Sequence, residues 1–67
     1  LELLITQHAR EKMTARGIEE EQVRKIIMYG SKVKQTDGYL ANYTYMSVAY
    51  KKLPDGRYKI KTVMINE

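Results

Sequence analysis

His8, Lys12 and Arg16 are the residues whose types and spacing come nearest to a chemical site in this sequence. They stand four apart. Successive helical residues turn by roughly 100°, so in a helix the three drift by only about 40° per step and share a face. Imidazole changes charge near neutral pH and can act as base or acid. Ammonium and guanidinium groups neutralise phosphate, the guanidinium through a planar fork. That combination suits metal-free cleavage of RNA, in which a 2′-hydroxyl attacks the neighbouring phosphate with help from a base, an acid and cations. A second group surrounds one predicted hairpin: Lys51, Lys52, Arg57, Lys59 and Lys61, with Tyr50 and Tyr58. There the cations can follow a nucleic-acid backbone, and the tyrosines can stack bases or donate hydrogen bonds.

Each of these residues also has a plainer reading. A lone histidine in the first turn of a helix commonly bonds a neighbouring strand. A cation such as Arg16 in a last turn is favoured by the helix dipole whatever its function. Lys12 can lay its stem on an apolar stripe and keep its ammonium in water. Tyrosines follow β-propensity, and lysines on a sheet edge block strand-to-strand aggregation. Other chemistry is excluded. One histidine and no cysteine cannot close a zinc site, and His8-Ala9-Arg10-Glu11 is not the spacing that puts two histidines on one helical face. The four glycines are isolated stops and turns, not a phosphate loop. Neither metal nor cofactor is expected.

The elements that must position these residues follow from caps and periodicity. Leu1 to Ile5 is apolar apart from Glu2 and reads as a short strand or arm, with Ile5 placed as a hydrophobic staple. Thr6 can cap a helix whose thin apolar stripe is Ala9 and Met13, and Gly17 can end it with Ile18 folding back. Glu19 to Glu21 open a second helix whose stripe is Val23, Ile26 and Ile27, with Glu20–Arg24 and Glu21–Lys25 as acid-before-base pairs and Gly30 as its stop. With almost no linker at Gly17, the two helices are expected to form a hairpin.

From Ser31 the helical period vanishes. Val33 to Thr36 and Tyr39 to Tyr43 read as strands joined by Asp37-Gly38 in a type I′ turn. Met46, Val48 and Tyr50 alternate with Ser47, Ala49 and Lys51, a strand buried on one side. No turn glycine separates Tyr43 from Met46, so residues 39 to 51 read as one bent strand or two. Leu53-Pro54-Asp55-Gly56 predicts a hairpin turn leading to a returning strand, Tyr58 to Ile65, in which Lys59 and Lys61 alternate with Tyr58, Ile60 and Thr62.

The chain has 67 residues, enough for one domain that buries about 60% of the surface it exposes unfolded. Without disulfides to supplement so small a core, either apolar packing suffices or a partner subunit helps, a homodimer being the simplest case. The absence of cysteine fits a reducing compartment. No run approaches the roughly 18 apolar residues of a membrane span, and the apolar start is too short for a secretory signal, so a cytoplasmic location away from membranes is the expectation. The chain opens on Leu1 and not on methionine, as a trimmed chain would. A formal net charge of +4 favours polyanions, nucleic acid in particular.

His8-Ala9-x-x-Lys12-Met13-x-x-Arg16-Gly17-Ile18, followed by acids, a short helix and a small sheet, resembles a prokaryotic family of short domains of unknown function whose usual pattern is H-A-x-x-R-M-x-x-R-G-I. That family looks similar in plan to the RelE-like toxins. Lys12 departs from the pattern, keeping the charge of arginine but losing its fork. The resemblance implies an α+β fold with an N-terminal helical hairpin on a three- or four-stranded antiparallel sheet, and an mRNA-cleaving or ribosome-associated toxin partnered by an antitoxin protein. RelE-like nucleases usually place lysine, arginine or tyrosine on the sheet and near the C-terminus, whereas Met64-Ile65-Asn66-Glu67 is poor in such groups. Two functions remain open: a ribonuclease using His8, Lys12 and Arg16, and a non-catalytic module binding protein or nucleic acid through the sheet and the Lys51–Lys61 hairpin.

Overall fold

The computed structural model describes residues 1–66 in the order β1 (Leu3–Ile5), α1 (Gln7–Arg16), α2 (Glu20–Tyr29), β2 (Ser31–Gln35), β3 (Gly38–Tyr43), β4 (Met46–Lys52) and β5 (Tyr58–Ile65). Glu67, the last residue of the cation-poor C-terminal stretch, lies outside the described residues. The fold is α+β, as expected, but the sheet has five strands in the order β1-β5-β4-β3-β2, and it is mixed. Strands β2 to β5 are antiparallel neighbours, whereas β1 pairs parallel with β5, Leu3 beside Tyr58 and Ile5 beside Ile60. The expected antiparallel sheet of three or four strands, and helices at the very N-terminal end, are therefore corrected. A parallel partner 55 residues away leaves no local turn signal.

The caps behave as their residues dictate. Thr6 stays extended while its hydroxyl oxygen accepts the Ala9 N–H at 3.1 Å, and the same hydroxyl donates to the Ile60 carbonyl at 2.9 Å, which ties the start of α1 to β5. Gly17 takes φ +68°, and the Ile18 N–H closes on the Met13 carbonyl at 2.9 Å. Glu19 caps α2, its N–H donating to Gln22 Oε1 at 2.8 Å. Of the two expected acid–base pairs on α2, Glu20–Arg24 forms at 3.7 Å, but Arg24 also takes Glu21 at 3.9 Å and no Glu21–Lys25 pair occurs among the described residues. Gly30 ends α2 because a Cβ there would press on the Ile26 and Asn42 carbonyls.

Ala9, Met13 and Ile18 from the first helix and its cap, with Val23, Ile26 and Ile27 from the second, meet Ala41, Met46, Val48, Tyr50, Ile60 and Val63 in one buried cluster. Helix α1 lies against β5, and α2 against β3 and β4. Both helices thus occupy one face of the sheet. The other face is uncovered among the described residues. It carries Leu4, Val33, Leu40, Ala49, Lys51, Lys59, Thr62 and Met64.

Residues 39 to 51 form two strands that reverse at Thr44–Tyr45, with Thr44 held at φ +55°. The preceding hairpin turns one residue earlier than expected: Gln35 pairs with Gly38, so Thr36 and Asp37 are its central residues, and neither has positive φ, which excludes type I′. Gly38 is spent instead on a φ of +107° and on closeness to β4, because a Cβ there would collide with the Tyr50 carbonyl. Strand β4 is buried on both sides from Met46 to Tyr50, not on one, because it is the middle strand and its outward residues Ser47 and Ala49 are small. A register shift at Ala49/Tyr50 makes Lys61 the extra residue of β5, so Val63, and not Thr62, joins Ile60 on the helix side.

Candidate functional site

Helix α1 offers its row along one border of the buried Ala9–Met13 stripe. His8 and Arg16 are exposed and Lys12 is half-buried. Four helical residues rise by about 6 Å, so the row spans about 12 Å. None of the three side chains makes a hydrogen bond or ion pair with another described residue. His8 is not tied to a strand, and Arg16 does not cap the last carbonyls of α1. The neighbouring charges on the helix are occupied elsewhere: Arg10 donates to Glu20 at 3.0 Å, and Gln7 reaches Glu11 at 3.4 Å. Two surface hollows border α1, one lined by Ile5, Gln7, Arg10, Glu11, Thr14 and Ala15, the other at the Gly17–Glu20 junction. His8, Lys12 and Arg16 line neither, so the row is an open ridge.

The predicted basic hairpin is divided by the pleat. Lys51 and Lys59 are register partners on the uncovered face, where Lys61 joins them. Lys52 is the register partner of Tyr58 and lies with Tyr50 and Tyr58 on the helix side. Arg57 belongs to the turn and is paired with Asp55 at 2.8 Å. On the uncovered face one carboxylate is shared by two of the three lysines. Asp37, from the turn between β2 and β3, takes Lys51 at 2.9 Å and Lys61 at 3.1 Å, and Lys61 also donates to the Asp37 carbonyl. Hydrogen bonds from Lys51 and Lys61, and then their charges, hold the Asp37 carboxyl below its usual range. Arg57 does the same to Asp55, first through its backbone N–H. Three of the five hairpin cations thus already face an acid.

Sequence reasoning missed Asp37 because only the closed sheet brings it to Lys51 and Lys61. It also missed Tyr39, which stacks on Tyr50 with ring centroids 5.9 Å apart, while Tyr58 lies 5.7 Å from Tyr50 on the other side. The signal for Tyr39 was present in the alternation that places it with Ala41 and Tyr43, but nothing local names Tyr50 as its partner. Burial, and then the neighbouring Tyr58 and Tyr39 hydroxyls, push the Tyr50 phenol up. At the opposite end of the uncovered face Ser47 donates to Asn42 Oδ1 and accepts from Asn66 Nδ2 at 2.7 Å. No group of three or more metal-ligating side chains occurs among the described residues, and no helix is long and apolar enough to cross a membrane.

A family model described as Domain of unknown function (DUF4258) matches residues 5–65, from the last residue of β1 to the last of β5. No curated protein and no solved structure matches the chain. With both helices, four of the five strands and the whole α1 row inside the match, the chain belongs to the DUF4258 family of domains of unknown function.

Proposed function

We propose that this chain acts on RNA as a metal-independent endoribonuclease of the RelE-like kind, with ribosome-bound mRNA as its target and an antitoxin protein as its natural restraint. The observation that carries the reading is the α1 row: an imidazole and two cations on one helical face, none bonded to another described side chain, in a molecule where Arg10, Arg24, Lys51, Arg57 and Lys61 are each paired with an acid. In the reaction the 2′-oxygen bonds to phosphorus as the bond to the 5′-oxygen breaks, leaving a 2′,3′-cyclic phosphate and a 5′-hydroxyl. A base takes the 2′-hydroxyl proton and an acid protonates the leaving oxygen; His8 supplies one of these transfers. Arg16 and Lys12 neutralise the crowded phosphorane. An open ridge does not exclude water by itself, and this argues for a target that covers it, the ribosome.

The test is cleavage of mRNA during cell-free translation by the wild type and by His8→Ala and Arg16→Ala, with folding checked by circular dichroism. His8→Ala is expected to lose about 100-fold or more, with cleavage of free RNA much slower than cleavage on ribosomes. Retention of cleavage in both folded variants, or none by the wild type at concentrations above those of the ribosomes, refutes the reading.

A second reading is favoured by the uncovered sheet face, where Val33 is 53% exposed beside Leu40. That face would dock a protein, a second copy included, with no reaction at all. Sedimentation of the chain alone separates the homodimer from the monomer.

A further inference from the structure

The helix side of the sheet carries a line of side chains that the α1 row does not use. Across four strands it runs Lys34 on β2, Tyr39 on β3, Tyr50 on β4, then Tyr58 and its register partner Lys52. Tyr39 stacks on Tyr50 at an interplanar angle of 26°, Tyr58 leans on Tyr50 at 45°, and the Lys52 ammonium stands 5.8 Å from the Tyr58 ring centre. Burial grades outward from the middle: Tyr50 is 6% exposed and Tyr39 39%.

Cross-strand packing alone accounts for the central ring but not for three other features. A buried tyrosine usually places its hydroxyl on a protein partner, yet the Tyr50 hydroxyl bonds to no other described residue, and neither do those of the more open Tyr39 and Tyr58. No buried side-chain oxygen is left unpartnered among the described residues, so the Tyr50 hydroxyl reaches solvent although its ring does not. Finally, Lys34 and Lys52 have no acid partner among the described residues, in contrast to Lys51 and Lys61 on the other face. Three aromatic rings with open hydroxyls, flanked by two cations that face no acid among the described residues, complement a ligand with planar faces, hydrogen-bonding edges and repeated negative charge. Four strands at about 4.8 Å spacing make the line roughly 15 Å long, enough for two or three splayed bases.

We propose that Tyr39, Tyr50 and Tyr58, flanked by Lys34 and Lys52, form a binding site for the unpaired bases of single-stranded RNA, distinct from the phosphate-directed row on α1. The inference rests on the reading of the chain as RNA-directed and adds which surface holds the bases. Tyr39, the most open ring, stacks a base; Lys34 and Lys52 take the phosphates on either side of it.

The experiment is binding of an oligouridylate and of an abasic oligomer of equal length and charge, followed by tyrosine fluorescence and by anisotropy of an end-labelled strand, with His8→Ala as background so that cleavage is suppressed during the measurement. Oligouridylate is expected to bind about 10-fold or more tightly than the abasic strand, with tyrosine emission quenched. Tyr39→Ala should remove that advantage and leave abasic binding unchanged, whereas Tyr39→Phe, which keeps the ring, should retain it. Equal affinity for the two strands overturns the base site while leaving the α1 row standing. Loss of the advantage in Tyr39→Phe as well as in Tyr39→Ala also overturns it, because the ring is then not what is read. No binding of either strand overturns the base site and leaves the α1 row to the cleavage assay on ribosomes, and tighter binding of a tyrosine-containing acidic peptide than of oligouridylate transfers the site to a protein partner and overturns this one.

Discussion

Replacing Thr44 by asparagine is expected to stabilise the protein. Thr44 turns the chain between β3 and β4, the two central antiparallel strands, at φ +55°, the one non-glycine positive φ among the described residues. A side chain with a Cβ costs about 1–2 kcal/mol in this region, and β-branching restricts the side chain further. Asparagine tolerates the conformation through local hydrogen bonding. What is lost is the bond from the Thr44 hydroxyl to the Tyr43 carbonyl at 2.6 Å, exposed and worth about 0.5 kcal/mol net. The balance is a gain of about 1 kcal/mol, or roughly 4–8 °C in Tm for a chain of this size. Urea and thermal unfolding followed by circular dichroism measure it, at several protein concentrations so that any association is seen. Thr44→Val serves as the control, since it keeps the branched shape and loses the hydroxyl, and it should fall below the wild type. If Thr44→Asn leaves the midpoint unchanged or lowers it at constant m, the strain at this turn is not what the φ angle implies.

Other consequences can be checked with the same instruments. Gly38→Ala should cost about 2 kcal/mol or more, because it adds a Cβ at φ +107° against the Tyr50 carbonyl, and urea unfolding will show it. Ile26→Ala, fully buried between α2 and the sheet, should cost about 3 kcal/mol by the same measure. The Asp37 carboxyl has a folded pKa below its unfolded one, so its contribution is present above the unfolded value and fades as pH falls through the folded value. In Asp37→Asn that acid-limb dependence should be absent, and in the wild type it should weaken with added salt because the site is exposed. Proton titration by NMR of the Asp37 carboxyl checks the direction.

The helices were readable because their signals are local. Thr6, Gly17 and the Glu19–Glu21 start each act within four residues, and the Val23–Ile26–Ile27 stripe is a pattern of one turn. The β4–β5 hairpin was readable for the same reason, from Pro54 and Gly56. Local signals failed where a residue answers to a distant one. Asp37-Gly38 looks like a turn dipeptide, but Gly38 is needed against Tyr50, and the turn moves back by one. The alternation of β5 looks regular from Tyr58 to Thr62, yet the shift opposite Tyr50 sends Val63 inward instead. The same applies to the candidate sites. The α1 row lies within nine residues and its shared face is a property of the helix itself, whereas the Lys51–Lys61 group was grouped by closeness in sequence and is split between two faces by the pleat.

The parallel pairing of β1 with β5 joins Leu3 to Tyr58 across nearly the whole chain, and its loop-closure entropy is correspondingly large. Three residues of strand give little to hold that closure, so this contact should form late in folding and open early in the native state, ahead of global unfolding. Thr6 is the hinge of such an opening, since it bonds β5 and caps α1 at once. Detaching β1 would release the start of the helix that bears His8 while the β2–β5 sheet stays intact. Amide exchange in Leu3–Ile5 and in the first turn of α1 should then share one opening free energy, lower than that of β4, and the orientation of His8 would fluctuate at the rate of that opening.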